Sequence, residues 1–330
     1  MTSASLNRTT TGVLFGITSS VAFGAGGPFA KALIEAGFSP LQAVWLRLIG
    51  TVTVLAVVCL ALRRPGQLTT MVRNRWPIVV YGLVAVAACQ VLYFVAASRL
   101  PVGIAILLEF TGPVLVVAWE KLVRRTHVAR VSVIGVAVAM VGLAIVVQIW
   151  SGVRLDALGL AAGLGAAAGN ATYFLLIDHL AGTVDVLTLT TGGMTVGLVL
   201  LLPLAAPWSA PWGVLGDSVA MGSHHIQGWL LAAFMVLVST VLSYLTGAAA
   251  IQRLSATTAA GLAYVEPAAA TIVAWAALGE RLSTTQIVGG VVVLGGAFLA
   301  QLGIRTTSQD DSASQAPILG TTIQAEALIP

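Results

Sequence analysis

Ten long apolar runs, broken by polar, proline or glycine stretches, account for most of this chain. They cover roughly residues 11–31, 40–62, 76–97, 101–119, 131–150, 158–177, 186–206, 228–250, 255–278 and 284–303. Each is close to the roughly 20 apolar residues that carry a helix across a hydrocarbon core. Strands of a membrane barrel would be about ten residues long and alternate in polarity, and these runs do neither. Lipid offers no hydrogen bonds to the backbone, so runs of this length must satisfy their own amides as helices. The pattern therefore predicts an all-α membrane protein of ten transmembrane helices.

Composition strengthens that reading. Of 330 residues, 58% are hydrophobic and only 8% charged, against roughly 25% charged in a soluble domain. The 35 glycines suit helices whose backbones approach closely, and they permit a homodimer without requiring one. The net charge of +4 is no nucleic-acid footprint, because the basic residues gather in loops rather than on one face. Cys59 and Cys89 lie inside apolar runs and read as packing residues, without a disulfide or metal pattern.

Loop charges set an orientation. With the N-terminus in the cytoplasm, inside loops hold Arg8, Arg63, Arg64, Arg73, Arg75, Lys121, Arg124, Arg125, Arg130, Arg253 and Arg305, eleven in all. Outside loops hold four, Lys31, Arg99, Arg154 and Arg281, and Arg47 lies within the second helix. The excess of basic residues inside fits the positive-inside rule, with most of it in the first half. Ala30-Lys31-Ala32 has the form of a signal-peptide cleavage site. The first run is long for a signal peptide, however, and is expected to be retained as a helix.

Residues 1–10 then form a cytoplasmic N-terminus. Residues 304–330 are polar and lack helical periodicity, and read as a disordered cytoplasmic tail. The stretch 207–227, with the adjacent His224 and His225, reads as a solvated outside loop rather than a metal site.

The halves of the chain resemble each other. At an offset of 154 residues, Arg99-Leu100 falls on Arg253-Leu254, Pro113 on Pro267, Gly135 on Gly289 and Gly142 on Gly296. At an offset of 147, Gly12 falls on Gly159 and Gly16 on Gly163. Residues 11–150 and 158–303 are thus expected to be two five-helix repeats. Five is odd, so the second must enter the membrane from the opposite side, giving an inverted repeat suited to alternating access.

Charges within membrane helices persist when they are paired or line a cavity. Arg47, Glu109 and Glu266 qualify. Arg47 and Glu109 fall roughly 10–12 Å below the outside starts of their helices and Glu266 roughly 16 Å from an inside start, counted at 1.5 Å per residue. All three can border one cavity between the repeats. A zwitterion needs a cation for its carboxylate and an acceptor for its ammonium. Arg47 suits the first role, through its planar fork, and Glu109 or Glu266 the second. A carboxyl group in such a site also suits coupling to protons. The plainer alternative is that Arg47 and Glu109 simply pair with each other. Pro113 and Pro267 closely follow the two glutamates and are expected to kink their helices and free carbonyls. Gln90, Tyr93, Asn170, Tyr173, Ser243 and Tyr244 lie mid-helix and can bond either a substrate or a neighbouring helix. Trp45, Trp119 and Trp275 read as packing or interfacial anchors.

The duplicated five-helix unit resembles the drug/metabolite transporter superfamily, in its EamA-like branch. Within the likeness, Leu108-Glu-Phe-Thr-Gly-Pro113 is similar to the threonine/homoserine exporter subgroup. Tyr264-Val-Glu-Pro267, Leu278-Gly-Glu-Arg-Leu282 and the run from Pro40 to Arg47 match the general family pattern. The first half has Lys121 to Arg130 where the second carries Gly-Glu-Arg-Leu. The resemblance implies efflux of amino acids or similar small molecules across the inner membrane. No phosphate-binding loop or His-Glu-x-x-His motif occurs, so neither an enzyme nor a cofactor is expected. The alternatives are transport of another metabolite or drug in either direction, and an intramembrane enzyme acting on lipids.

Overall fold

The structure, a computed structural model, describes residues 3–61, 67–123, 125, 129–147, 155–180, 184, 186–254 and 261–314. It is an assembly of helices. In order these are α1 (Ser3–Glu35), α2 (Pro40–Ala61) and the short α3 (Gln67–Arg73). Then comes α4, running Arg75–Val80, Tyr81–Ala88 and Cys89–Arg99. The next rod, α5, is made of Val102–Glu109 and Gly112–Leu122. It is followed by α6 (Arg130–Val147), α7 (Ala157–Leu180) and α8 (Val186–Ala205). Last are α9, running Gly228–Ala233, Phe234–Leu242 and Ser243–Arg253, then α10 (Glu266–Leu278) and α11 (Thr284–Ser314).

Among the described residues, six stretches are long and apolar enough to cross a membrane: Thr9–Glu35, Pro40–Val58, Arg75–Arg99, Val102–Leu122, Thr188–Ala205 and Gly228–Gly247. Shorter apolar helices cover Arg130–Val146, Ala263–Leu278 and Thr284–Ala300. The outer faces carry large apolar side chains such as Leu60, Val199, Ile272 and Val291, all well exposed. Such a surface is costly in water and costs nothing against lipid tails.

Local chemistry sets the helix ends. At α2 the backbone N–H of Ser39 donates to Gln42 Oε1 (2.9 Å), and Gln42 N–H donates back to Ser39 Oγ (3.2 Å). Ser283 and Gln286 repeat this reciprocal capping box at α11. Asp156 Oδ1 accepts from Gly159 N–H (2.7 Å) to start α7. At the end of α10, Gly279 takes a left-handed φ of 72°, which a side chain would disfavour.

Close crossings hold the helices together. Against α11, Gly135 of α6 lies at Gly296 and Ala300, and Gly142 lies at Gly289 and Val293. The glycines that an offset of 154 aligns thus meet crosswise along antiparallel helices. A second crosswise relation joins the leading helices to the opposite half. Gly12 and Gly16 of α1 abut Leu254 and Leu262, while Gly159 and Gly163 of α7 abut Leu100 and Leu108.

Three features depart from expectation. First, Tyr81–Ala88 and Phe234–Leu242 are π-helical, each widening the middle of a rod, and they too are related by the 154-residue offset. In the second, Thr240 Oγ1 and Ser243 Oγ donate to the carbonyls of Met235 (2.8 Å) and Val238 (3.1 Å), five residues back. Such widened turns concentrate at functional sites. Second, the stretch expected as a plain solvated loop contains a hairpin of β1 (Ser218–Met221) and β2 (His224–Gln227), paired from Ser218↔Gln227 to Met221↔His224. Alternation along β1 buries Val219 and Met221 against the helix ends, a pattern too short to recognise in sequence. His224 and His225 stay exposed. Third, α11 continues to Ser314, past the expected start of a disordered tail at 304. Extending an existing helix costs far less than nucleating one. Residues 315–330 lie outside the described ones.

The crossing of α6 and α11 yields a sharp contrast between adjacent glycines. A Cβ on Gly296 would lie 2.7 Å from both Ala139 Cα and Gly135 O, whereas one on Gly295 would meet nothing within 4 Å. Gly296→Ala is expected to destabilise the folded protein by about 1–3 kcal/mol through overpacking. Gly295→Ala should leave the thermal midpoint of the purified protein in detergent essentially unchanged.

Candidate functional site

The interior between α2, α4, α5, α9 and α10 holds the buried charges. Arg47 on α2 is 7% exposed. Its Nε donates to Thr240 Oγ1 at 2.7 Å, and its guanidinium carbon lies 5.8 Å from the centre of the Phe94 ring. A guanidinium over an aromatic face gains from the ring's quadrupole. Thr240 in turn bonds the Met235 carbonyl, so a chain of two hydrogen bonds ties Arg47 to the widened turn of α9.

Among the described residues no carboxylate lies within ion-pairing distance of Arg47. Arg47 and Glu109 therefore do not form the direct pair weighed above as the plainer alternative. Arg47 is nonetheless within electrostatic reach of Glu109, Glu266, Tyr93 and Tyr244. Arg47 is thus a buried cation near two carboxyl groups that, among the described residues, it does not clamp.

Glu109 sits where α5 breaks. The carbonyl of residue 109 would ordinarily accept from the N–H of residue 113, and Pro113 has none. Asn170 Nδ2 of α7 supplies a substitute donor to Glu109 O at 3.4 Å. The Glu109 side chain faces Cys89, whose Sγ lies 3.5 Å from Oε1 and 3.4 Å from the Ala166 carbonyl. Cys89 is buried as expected and also touches the site. Cys59 has no described side chain.

The prolines act differently from the expected mid-helix kinks. Pro113 and Pro267 both stand in the first turn of a restarted helix, Gly112–Leu122 and Glu266–Leu278. A proline in that turn breaks no hydrogen bond within its own segment; what Pro113 withholds is a donor for the Glu109 carbonyl that ends the segment before it. The irregular backbone precedes them, at Phe110–Thr111 and in the single tight turn Ala263–Val265. Each restart rests on the other half's leading helix. Gly112 abuts Ala167 and Ala171 of α7, and the backbone of Glu266 and Ala270 abuts Gly24 of α1.

The remaining candidates divide. Gln90 carries a buried Oε1 without a hydrogen-bond partner among the described residues. The Tyr93 hydroxyl fits against Gly27 of α1. Ser243 is engaged within the protein, donating to Val238 O and accepting at its carbonyl from Ser19 Oγ (2.8 Å). Tyr244 packs edge-on to Phe23, ring centres 4.9 Å apart. Tyr173 lies on α7, and its side chain falls outside the described ones. Thr240 and Phe94, which hold Arg47, escaped sequence reading. The one available signal for Thr240 was the pair Ser239-Thr240 inside an otherwise apolar run.

Buried charges collected between two matched helical halves, on a scaffold with a lipid-like outer surface, define a multi-pass membrane transporter. The pattern of the EamA-like transporter family matches residues 10–148 and again 157–302, and the chain belongs to that family, with two copies of its domain. It is similar to the threonine/homoserine exporter RhtA of Escherichia coli (strain K12), 27% identical over 257 residues covering 78% of this chain and 80% of that one. The exporter of the same name from Salmonella typhimurium (strain SL1344) is 27% identical over 286 residues, 86% of this chain and 89% of that one. The uncharacterized transporter YdfC of Bacillus subtilis (strain 168) is 24% identical over 281 residues, 84% of this chain and 86% of that one. A solved crystal structure superimposes with a TM-score of 0.57 at 19% identity, covering 90% of this chain and 98% of that one. At that identity the likeness shows the fold alone.

Thr240→Val, close in shape, removes the acceptor for Arg47 Nε. The buried N–H left without a partner should cost about 1–3 kcal/mol. The expected result is a lowered thermal midpoint in detergent, with Thr240→Ser near the parent value.

Proposed function

We propose that the chain is a secondary transporter that exports threonine, homoserine or a similar small amino acid across the inner (plasma) membrane. The observation that carries this reading is the buried Arg47, fixed by Thr240 and within reach of Glu109 and Glu266 without pairing to either. In this reading the substrate carboxylate lies on the Arg47 fork and its ammonium faces a glutamate. Tyr93, Gln90 and Tyr244 complete the lining. The exporters of 27% identity support the substrate class. Export by proton exchange is part of the proposal, since Glu109 and Glu266 are the groups able to carry a proton there.

The proposed architecture is ten membrane spans in two inverted five-helix repeats, residues 11–150 and 158–303, with both termini in the cytoplasm. Crosswise contacts support it. If Gly135 and Gly142 are exchanged for their equivalents Gly289 and Gly296, the set of contacts between α6 and α11 maps onto itself. A two-fold axis between the halves accounts for that mapping, and such halves can rock about a shared site. The loop-charge bias supports the orientation.

Efflux tests the proposal. Cells lacking their own exporters are loaded with a threonine-containing dipeptide, and internal and external threonine are followed with and without the protein. The expected outcome is faster efflux that a proton uncoupler abolishes. Arg47→Ala and Glu109→Gln, at matched membrane abundance, should each lower it at least tenfold, the loss expected for a charge-assisted contact worth about 1.5–3 kcal/mol. Unchanged efflux with a well-inserted protein would exclude threonine and turn the search to other metabolites.

A further inference from the structure

One end of the molecule is fastened by charges. Lys31, near the end of α1, places Nζ 2.6 Å from Glu280 Oε1 and 3.1 Å from the carbonyl of Leu100. Glu280, just after α10, uses its other oxygen to accept from the Val102 N–H (2.8 Å) at the start of α5. Three chain segments from both halves thus meet in one cluster. The pair is largely withdrawn from solvent, with 13% and 17% of the side chains exposed. Arg99 and Asp156 pair nearby at 3.3 Å, but are 44% and 38% exposed. Exposed pairs contribute little, so Lys31–Glu280 dominates. The hairpin caps the same end, with Gly222 seated on Ala277 and Leu278.

The repeat locates the corresponding positions at the opposite end. The offset of 147 carries Lys31 to Asp178 and the offset of 154 relates Glu280 to Thr126, an acid and a neutral hydroxyl. Asp156 and Arg99 likewise correspond to Thr9 and Arg253. Arg253 instead lies over the Phe15 ring, 4.9 Å from its centre. Neither set of equivalents combines opposite charges. The repeat therefore does not carry the Lys31–Glu280 pairing of opposite charges to the equivalent positions in the sequence.

We propose that Lys31 and Glu280 form a latch that holds the extracellular end shut. The inference rests on the orientation and alternating access proposed above, and gives the fold a direction: the site is refilled from the cytoplasm, and release outward requires the latch to part. Lys31 and Glu280 act on the equilibrium between forms and not on the substrate.

Cys89, beside Glu109, reports on access to the site. In a Cys59→Ser background it is the sole thiol. A membrane-impermeant maleimide is added to intact cells for the outside and to inverted vesicles for the inside. Lys31→Glu and Glu280→Lys should each speed outside labelling roughly tenfold, as expected for loss of charge-assisted hydrogen bonds. The double exchange should label more slowly than either single variant, because an ion pair of reversed sense re-forms. The latch is overturned if both single variants label from outside no faster than the parent while Cys89 reacts from inside. It is equally overturned if the double exchange labels as fast as the singles, which marks general loosening. Cys89 unreactive from both sides in every variant would instead sink the shared pathway through the site, and the latch with it.

Discussion

A polar group inside a membrane has no water to turn to, and the arrangement of this protein follows from that constraint. The Glu109 carbonyl, stranded because Pro113 cannot donate, is met by Asn170 from the other half. The Arg47 guanidinium is met by Thr240, again from the other half. The Val102 N–H at the start of α5 is met by Glu280. Each solution crosses between the repeats, so these groups of the first half are satisfied by the second. The site and the fold are in this sense one structure.

Close packing makes these crossings feasible. Lipid tails are as apolar as the helix faces, so burial does little to bring membrane helices together, and van der Waals fit must do it. Gly135, Gly142, Gly289 and Gly296 let α6 and α11 approach until backbone meets backbone. Gly24 does the same for α1 beneath Glu266, and Gly112 for α5 against α7. Small residues stand where the irregular backbone beside Glu109 and Glu266 meets the other half's leading helix.

The interior also breaks the symmetry of its own repeat. Arg47 corresponds, at an offset of 147, to the buried Met194, and Thr240 corresponds, at an offset of 154, to the buried Val86. One half thus offers a cation and a hydroxyl where the other offers thioether and aliphatic surface. The two halves of the frame are thus filled unequally where they meet.

Sequence alone determined the class. Apolar runs of membrane length, scarce charge and shared landmarks such as Pro113 with Pro267 identified a duplicated helical membrane protein, because the cost of exposing backbone or charge to lipid leaves few alternatives. The same cost singled out Arg47, Glu109 and Glu266, since charge in a membrane helix is expensive to bury. Their partners belonged to the tertiary structure. Thr240, Asn170 and Cys89 lie 193, 61 and 20 residues from the groups they touch, and no local pattern encodes such pairings. The widened turns of α4 and α9, the restart of α5 and α10 ahead of their prolines, and the union of Lys31 with Glu280 were likewise decided only when the helices packed. Periodicity reports which residues must leave water, whereas contact between distant segments depends on how their surfaces fit.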